Sequence, residues 1–349
     1  LIILIGIGCS SDYSKKSTNE VTIHELSDAE MLNPINVNDN AGRCIVKNIY
    51  QSLLDFDFTT LELIPILAES RPIIEKTPDG GMTLTYRIRP EAKWDNGEQI
   101  TAKDVEFTLK VIKNPKVNNQ SNKPFYEFIN DIKFYDDDPL KFTLISKTVY
   151  ILAEPSSGDY GILPSYVYDP KGLMEKFTIK QLSSTDSSLV NDPNINAFAK
   201  DFNSPKRSRE KEFISGSGAY NFSEWATGQR IVLTKKQNWW GDKLAGKNCY
   251  YDAYPDKLIY QTVNDQTSAL VSLKAGNLDV MRSIKPKDFV DLPNSAKFQE
   301  NFNTATPMML AYNYFGINTA LKKFSDKKVR VALAHLCDVD KMIKVCMYD

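Results

Sequence analysis

Apolar and polar positions fall into two periods along this chain, and the switches between them set out its elements. Residues 21–26, VTIHEL, are branched and alternating, which predicts a first strand, and MLNPINVNDNAGRC after it supplies turn residues in quantity. In IVKNIYQSLLDFD, Ile45, Ile49 and Leu53 recur at helical spacing beside Val46 and Tyr50. MTLTYRIR alternates at Met82, Leu84, Tyr86 and Ile88 behind Asp79, Gly80 and Gly81, the signature of a hairpin strand. A turn at Asn96 and Gly97 leads to Thr101 and Asp104, spaced as N-cap and N3 of a capping box. Val105, Leu109 and Ile112 then give the helix one apolar face. Residues 183–209, rich in Ser, Asn, Asp, Lys and Pro, read as a mobile insertion or long surface loop. Order returns with RIVLTKKQNWW and KLIYQTV as strands, and with DQTSALVSLKAGNLDVM as a capped helix stopping near Gly276 before another short strand. MMLAYNYFGINT predicts one more strand, and helices open at Ser325 and Asp338. Strands and helices mix without solenoid repeats or the βα alternation of a barrel, which makes the fold class mixed α+β.

Composition narrows the function more than the fold. The 349 residues are 42% apolar, enough for two or three domains with substantial cores. Forty-three Lys and Arg nearly cancel forty-four Asp and Glu, and with no long basic run a nucleic-acid partner is not expected. Two histidines, His24 and His335, leave acid–base catalysis poorly supplied, which weighs against an enzyme. Cys44, Cys249, Cys337 and Cys346 lack CxxC or His-paired spacing and read as small buried residues, so neither a metal nor another cofactor is expected.

The beginning, LIILIGIGCSSDYSKKSTNE, is an apolar run that ends in small residues before Cys9 and then turns polar. It reads as the remnant of a secretory signal with a lipobox-like end, in which Cys9 would be lipidated and 1–20 would comprise signal, anchor and tether. Gly6 stands where such a box usually has Leu. At the other end the chain stops inside an apolar periodic segment, from which a C-terminal truncation is expected.

Three of the four tryptophans, Trp225, Trp239 and Trp240, fall in SGSGAYNFSEWATGQRIVLTKKQNWWG, residues 215–241. Ser215 to Gly218 satisfies neither a nucleophile elbow nor a phosphate loop, and reads as a tight turn where backbones approach. Asp136, Asp137 and Asp138 lack the Gly and distal Glu of an EF-hand and read as a solvated turn. Trp94 is expected to fill the gap between a strand and the capped helix. If the strand runs through Trp239 and Trp240, the two must face opposite sides, one of them core.

Taken in order, YRIRPEAKWDNGEQITAKDVEFTLKVI, the 215–241 segment, ALVSLKAGNLDVM and YNYFGINTALKKFSDKKVRVALAHLCDVDKMI resemble the extracellular solute-binding proteins of ABC importers for dipeptides and oligopeptides, family 5. The resemblance implies a two-lobed, periplasmic-binding-protein-like clamshell whose second lobe is incomplete. It assigns 21–43 with 160–262 to the first lobe, 44–159 to an inserted domain and 263–349 to the start of the other lobe. It also implies a lipid-anchored protein of the periplasm or cell envelope, monomeric, that captures peptides and hands them to a permease and ATPase. Main-chain hydrogen bonds would supply most of the affinity. By the same resemblance Asn38, Asp39 and Asn40 approach ligand from the first lobe, Thr304, Thr306 and Met308 face them from the other, and Ser217 and Tyr220 lie in a loop bordering the ligand. The acidic residue that captures the peptide amino group in family members has no counterpart within this chain. Competing classes are a secreted hydrolase of peptides or glycans, motivated by the carboxylates, a surface adhesin or receptor, and the same fold holding a nickel complex, haem or a sugar.

Overall fold

The computed structural model describes residues 19–184 and 187–347; Cys9 and the leader before it lie outside the described residues. The chain divides into two compact units at Val280 and Met281. In the first, strands β1 (Glu20–Glu25), β2 (Leu54–Phe56), β3 (Leu63–Pro65), β4 (Ile73–Lys76), β5 (Met82–Arg87), β6 (Asp131–Phe134), β7 (Lys141–Ser146), β8 (Tyr220–Ala226), β9 (Arg230–Lys235) and β10 (Lys257–Thr262) build two four-stranded sheets and a ribbon. One sheet runs β1-β10-β9-β8, the other β4-β5-β7-β6, and β2 pairs with β3. β1 joins β10 in parallel, Val21 opposite Leu258 and Ile23 opposite Tyr260, whereas β8, β9 and β10 are antiparallel. Beyond β10, the Val280 carbonyl accepts from the His24 N–H at 2.8 Å, so residues 263–280 belong with the first unit, past the boundary expected at 263.

Helices α1 (Asn40–Ile49), α2 (Ala102–Lys113), α3 (Ala153–Gly158), α4 (Pro193–Phe202) and α5 (Gln266–Lys274) complete this unit, with shorter helical turns between them. α2 begins with the expected capping box: Thr101 accepts from Lys103 N, and the Asp104 carboxylate accepts from the Thr101 N–H at 2.8 Å. Val105, Leu109 and Ile112 are all buried, each contributing about 1.5–3 kcal/mol by leaving water. Trp94 is buried and its indole donates to Asp104 at 3.2 Å, tying the β5–α2 connection to the first turn of α2.

Two expectations fail here. The 183–209 segment is not an irregular loop. Asp192 caps α4 by accepting from Asn194 N and Ile195 N, Pro193 occupies its first turn, and Ile195, Phe198 and Phe202 bury one face. Phe198 stacks on Phe202 and meets Phe107 of α2 edge-on, so a polar composition concealed an i, i+3, i+7 apolar stripe. The cysteines are not core residues: Cys249 and Cys346 are exposed, and Cys44 and Cys337 half-buried.

The second unit contains helices α6 (Pro286–Asp291), α7 (Ala296–Asn301), α8 (Lys327–His335) and α9 (Val339–Met347). The strand expected from MMLAYNYFGINT does not form, and Met308, Met309, Tyr312 and Tyr314 are exposed. A strand needs a neighbouring ladder, and the described elements of this unit are all helical.

Candidate functional site

The site is built around the two ends of α1. At its start Asp39 is the N-cap, its carboxylate accepting from Gly42 N at 2.7 Å and from Glu30 N at 3.3 Å. Asn38 is exposed and accepts from the Ser121 hydroxyl at 2.7 Å, and Asn40 opens the helix with its side chain exposed. These three residues are adjacent, but the Asp39 carboxylate already serves two backbone donors.

At the other end, the Ser215 to Tyr220 loop lies against the last turn of α1. Gly218 N donates to Ile49 O at 2.8 Å, and a Cβ on Gly216 or Gly218 would collide with the Ile49 or Asn48 carbonyl oxygen. Ser217 is fully buried; its hydroxyl accepts from the Gln51 N–H at 3.3 Å. Its carbonyl accepts from both the Trp239 and Trp240 indoles, at 2.8 and 2.9 Å. The two tryptophans therefore do not face opposite sides. β9 ends at Lys235, Asn238 takes a positive φ of 54°, and both rings turn onto one carbonyl, 5.4 Å apart and both buried. Trp225 is half-buried, donates to the Asp28 carboxylate at 3.1 Å and lies under the Arg209 guanidinium. Tyr220 is buried and donates to Pro255 O at 2.9 Å. Ser217 and Tyr220 thus fix Gln51 and the edge of β8.

The loop is anchored by charge as well. Lys236 donates to Gly216 O at 2.6 Å and pairs with Asp95 at 2.5 Å, while Ser215 donates to Asp95 at 2.8 Å. Burial lowers the Lys236 pKa, and the Asp95 carboxylate opposes that.

What this framework positions is a cavity of about 330 Å³ beside α1, walled by the loop after β1, by Gln51, by Asn119 and Tyr126 following α2, and by Asp159 and Tyr160 following α3. Lys47 pairs with Asp55 at 2.8 Å, and the Tyr126 hydroxyl donates to Asp159 at 3.0 Å. Three wall residues are buried yet carry unpaired polar atoms: the Tyr160 hydroxyl, Gln51 Oε1 and Asn119 Oδ1, with the residues 4%, 5% and 1% exposed. Buried polar atoms are rarely left unpaired, because each loses water without replacement. Their gathering on one cavity marks it as a place for polar contents. Asp159 is exposed as a residue, but protein atoms crowd its carboxyl. That desolvation, with the Asp55 charge, pushes its pKa up to about 6, against the Tyr126 hydrogen bond and the Lys47 charge.

None of the cavity's polar residues was singled out from the sequence. Gln51 follows a helix beside Ser52, Asn119 sits in the polar run NNQSNK after another, and Asp159 and Tyr160 sit in SSGDYG, a stretch without periodicity. Thr304, Thr306 and Met308 lie on the exposed, irregular segment of the second unit.

The fold is that of solved solute-binding proteins. The oligopeptide-binding protein AppA from Bacillus subtilis, solved with a nonapeptide, superposes with a TM-score of 0.63 at 23% identity over 93% of this chain and 55% of that one. NikZ from Campylobacter jejuni, solved with Ni(L-His), gives 0.61 at 18% identity over 94% and 55%. Residues 62–349 match the bacterial extracellular solute-binding proteins, family 5 Middle, and the chain belongs to that family. By sequence it is 25% identical to AppA over 348 residues, which is 97% of this chain and 54% of that protein. The dipeptide-binding protein of Escherichia coli is 25% identical over 85% of this chain and 50% of its own length. The chain thus spans about half the length of the curated relatives it matches.

Proposed function

We propose that the protein containing this chain is an extracytoplasmic substrate-binding protein, which captures peptides between two lobes and delivers them to an ABC-type permease and its ATPase. The observation that carries this reading is the family match over residues 62–349. AppA and the E. coli relative are named for oligopeptide and dipeptide binding, and the unpaired polar wall of the α1 cavity suits a hydrated, polar ligand. In this reading one lobe is built from 21–43 and 160–262, extended by 263–280, with 44–159 inserted, and the other from the chain beyond Val280. Exposed Asn38 and Asn40 border the ligand on one side, Thr304, Thr306 and Met308 on the other, and Cys9 carries a lipid anchor in the cell envelope. The protein binds its substrate and does not cleave it.

A ligand present at 100 times its Kd stabilises a folded protein by about 2.7 kcal/mol, which for a protein of this size raises Tm by several degrees. Thermal scans with a defined set of di- to nonapeptides are therefore expected to show such a shift for some of them. No shift with any peptide, or turnover of the peptides that survives repurification, would sink the proposal, the latter in favour of a hydrolase.

A further inference from the structure

We propose that the cavity beside α1 is a subsite for a primary carboxamide, with Gln51 and Asn119 accepting from its N–H groups and Tyr160 and Arg43 donating to its carbonyl oxygen. The proposal deepens the peptide-capture reading and rests on it for one source, an asparagine or glutamine side chain of a peptide; a free amide is the other source. The unpaired atoms set the chemistry. Asn119 donates through Nδ2 to Ile112 O at 2.9 Å, which fixes its amide and leaves buried Oδ1 as an acceptor without a donor. Gln51 Oε1 is a second such acceptor. The Tyr160 hydroxyl can donate as well as accept, and its ring meets Tyr126 edge-on with centroids 5.3 Å apart. Arg43 lines the same cavity, is exposed, and its guanidinium makes no ion pair or hydrogen bond among the described residues, so it is free to donate. A carboxamide matches this set: its nitrogen donates twice, and its oxygen accepts through two lone pairs.

The charges on the wall favour a neutral group. Arg43 and Lys47 bring positive charge to the cavity, and Asp55 and Asp159 bring an equal negative charge. Lys47 is paired with Asp55 at 2.8 Å, and Asp159 accepts from the Tyr126 hydroxyl at 3.0 Å. A carboxylate would face Asp159 and the two amide oxygens, and an ammonium would face Arg43. Either ion would give up its hydration to a wall whose charges cancel, a cost that a carboxamide avoids. Ile35, Val37, Val46 and Ile112 line the same space and give a short methylene stem apolar surface to cover.

The test is NMR titration of the whole protein containing this chain with butyramide, butyrate and n-butylammonium at about pH 7.5, on wild type, Gln51→Met, Tyr160→Phe and Arg43→Met. Butyramide is expected to bind about tenfold tighter than either ion, and each substitution to weaken it by about fivefold or more. Gln51→Met and Tyr160→Phe each delete a polar atom that has no partner in the folded protein, so their urea midpoints should hold or rise, which separates a lost contact from a lost fold. Titrating Ala-Gln-Ala and Ala-Glu-Ala then assigns the source. Tighter binding of Ala-Gln-Ala, with the preference lost in Gln51→Met, assigns the subsite to a side chain of a captured peptide. If butyramide is preferred and neither peptide binds, the subsite stands as one for free amides and peptide capture fails. If both peptides bind alike and butyramide has no preference over the ions, peptide capture stands and the subsite fails. Equal binding of the three probes, or a preference for butyramide unchanged by every substitution, would mean that the cavity holds only water and would overturn the proposal.

Discussion

Gly218→Ala should be among the most costly single-methyl additions in the first unit. A Cβ there would sit 2.8 Å from Ile49 C and 2.9 Å from Asn48 C, and closer still to Asn48 O, all backbone atoms that no rotamer change can move. Carbon atoms pack comfortably near 3.5–4.0 Å, so the loop and the end of α1 must part by roughly half an ångström or more. Overpacking of this kind costs about 1–3 kcal/mol, and parting the loop also weakens the 2.8 Å bond from Gly218 N to Ile49 O, worth about 1 kcal/mol. The expected total is about 2–4 kcal/mol. Gly80→Ala is the control: φ is +87°, but nothing lies within 4 Å of its would-be Cβ, so only backbone strain of about 1 kcal/mol applies. Urea unfolding followed by tryptophan fluorescence measures both. If Gly218→Ala costs no more than Gly80→Ala, the claim that the loop is clamped to α1 is wrong.

The indole pair gives a non-additive test: Trp239→Phe and Trp240→Phe each leave the buried Ser217 carbonyl one donor, whereas the double variant leaves none. In a urea-unfolding double-mutant cycle the double loss should exceed the sum of the singles by about 1–3 kcal/mol; simple additivity would refute the shared-acceptor reading. Lys113 is buried, and desolvation, helped by the Lys123 charge and opposed by Glu127, lowers its pKa to about 8. Because the unfolded chain holds this proton up to about pH 10.4, stability should rise with pH between about 8 and 10.4, by at most about 3 kcal/mol. Lys113→Met should flatten that rise, and an unchanged pH profile of urea midpoints would contradict it. Thr101→Ala removes the α2 cap and should cost about 0.5–2 kcal/mol by the same unfolding measurement.

Where the sequence carried a local rule, the element was legible. The α2 capping box, the alternation of β5 and the positive-φ turn at Gly97 each rest on neighbours within four residues. The failures rest on distant partners. Trp239 and Trp240 turn together because Ser217, more than twenty residues earlier, offers one carbonyl to both. Residues 308–319 look like a strand by composition, yet backbone pairing decides strands, and no described strand of that unit is there to pair. The cavity draws its walls from stretches scattered between Pro34 and Tyr250, and no single motif marks them. The family resemblance was legible because it depends on the order of several weak motifs along the chain. The suggested loop residues Ser217 and Tyr220 hold the backbone of Gln51 and Pro255, partnerships between distant residues that no local motif announces.

The central claim is that this protein captures a peptide without altering it, and native mass spectrometry of the protein purified without refolding tests it most directly. The account predicts discrete added masses that disappear on denaturation and are identified as intact peptides. Bare protein masses alone from every preparation, together with no uptake of added peptides, would contradict it.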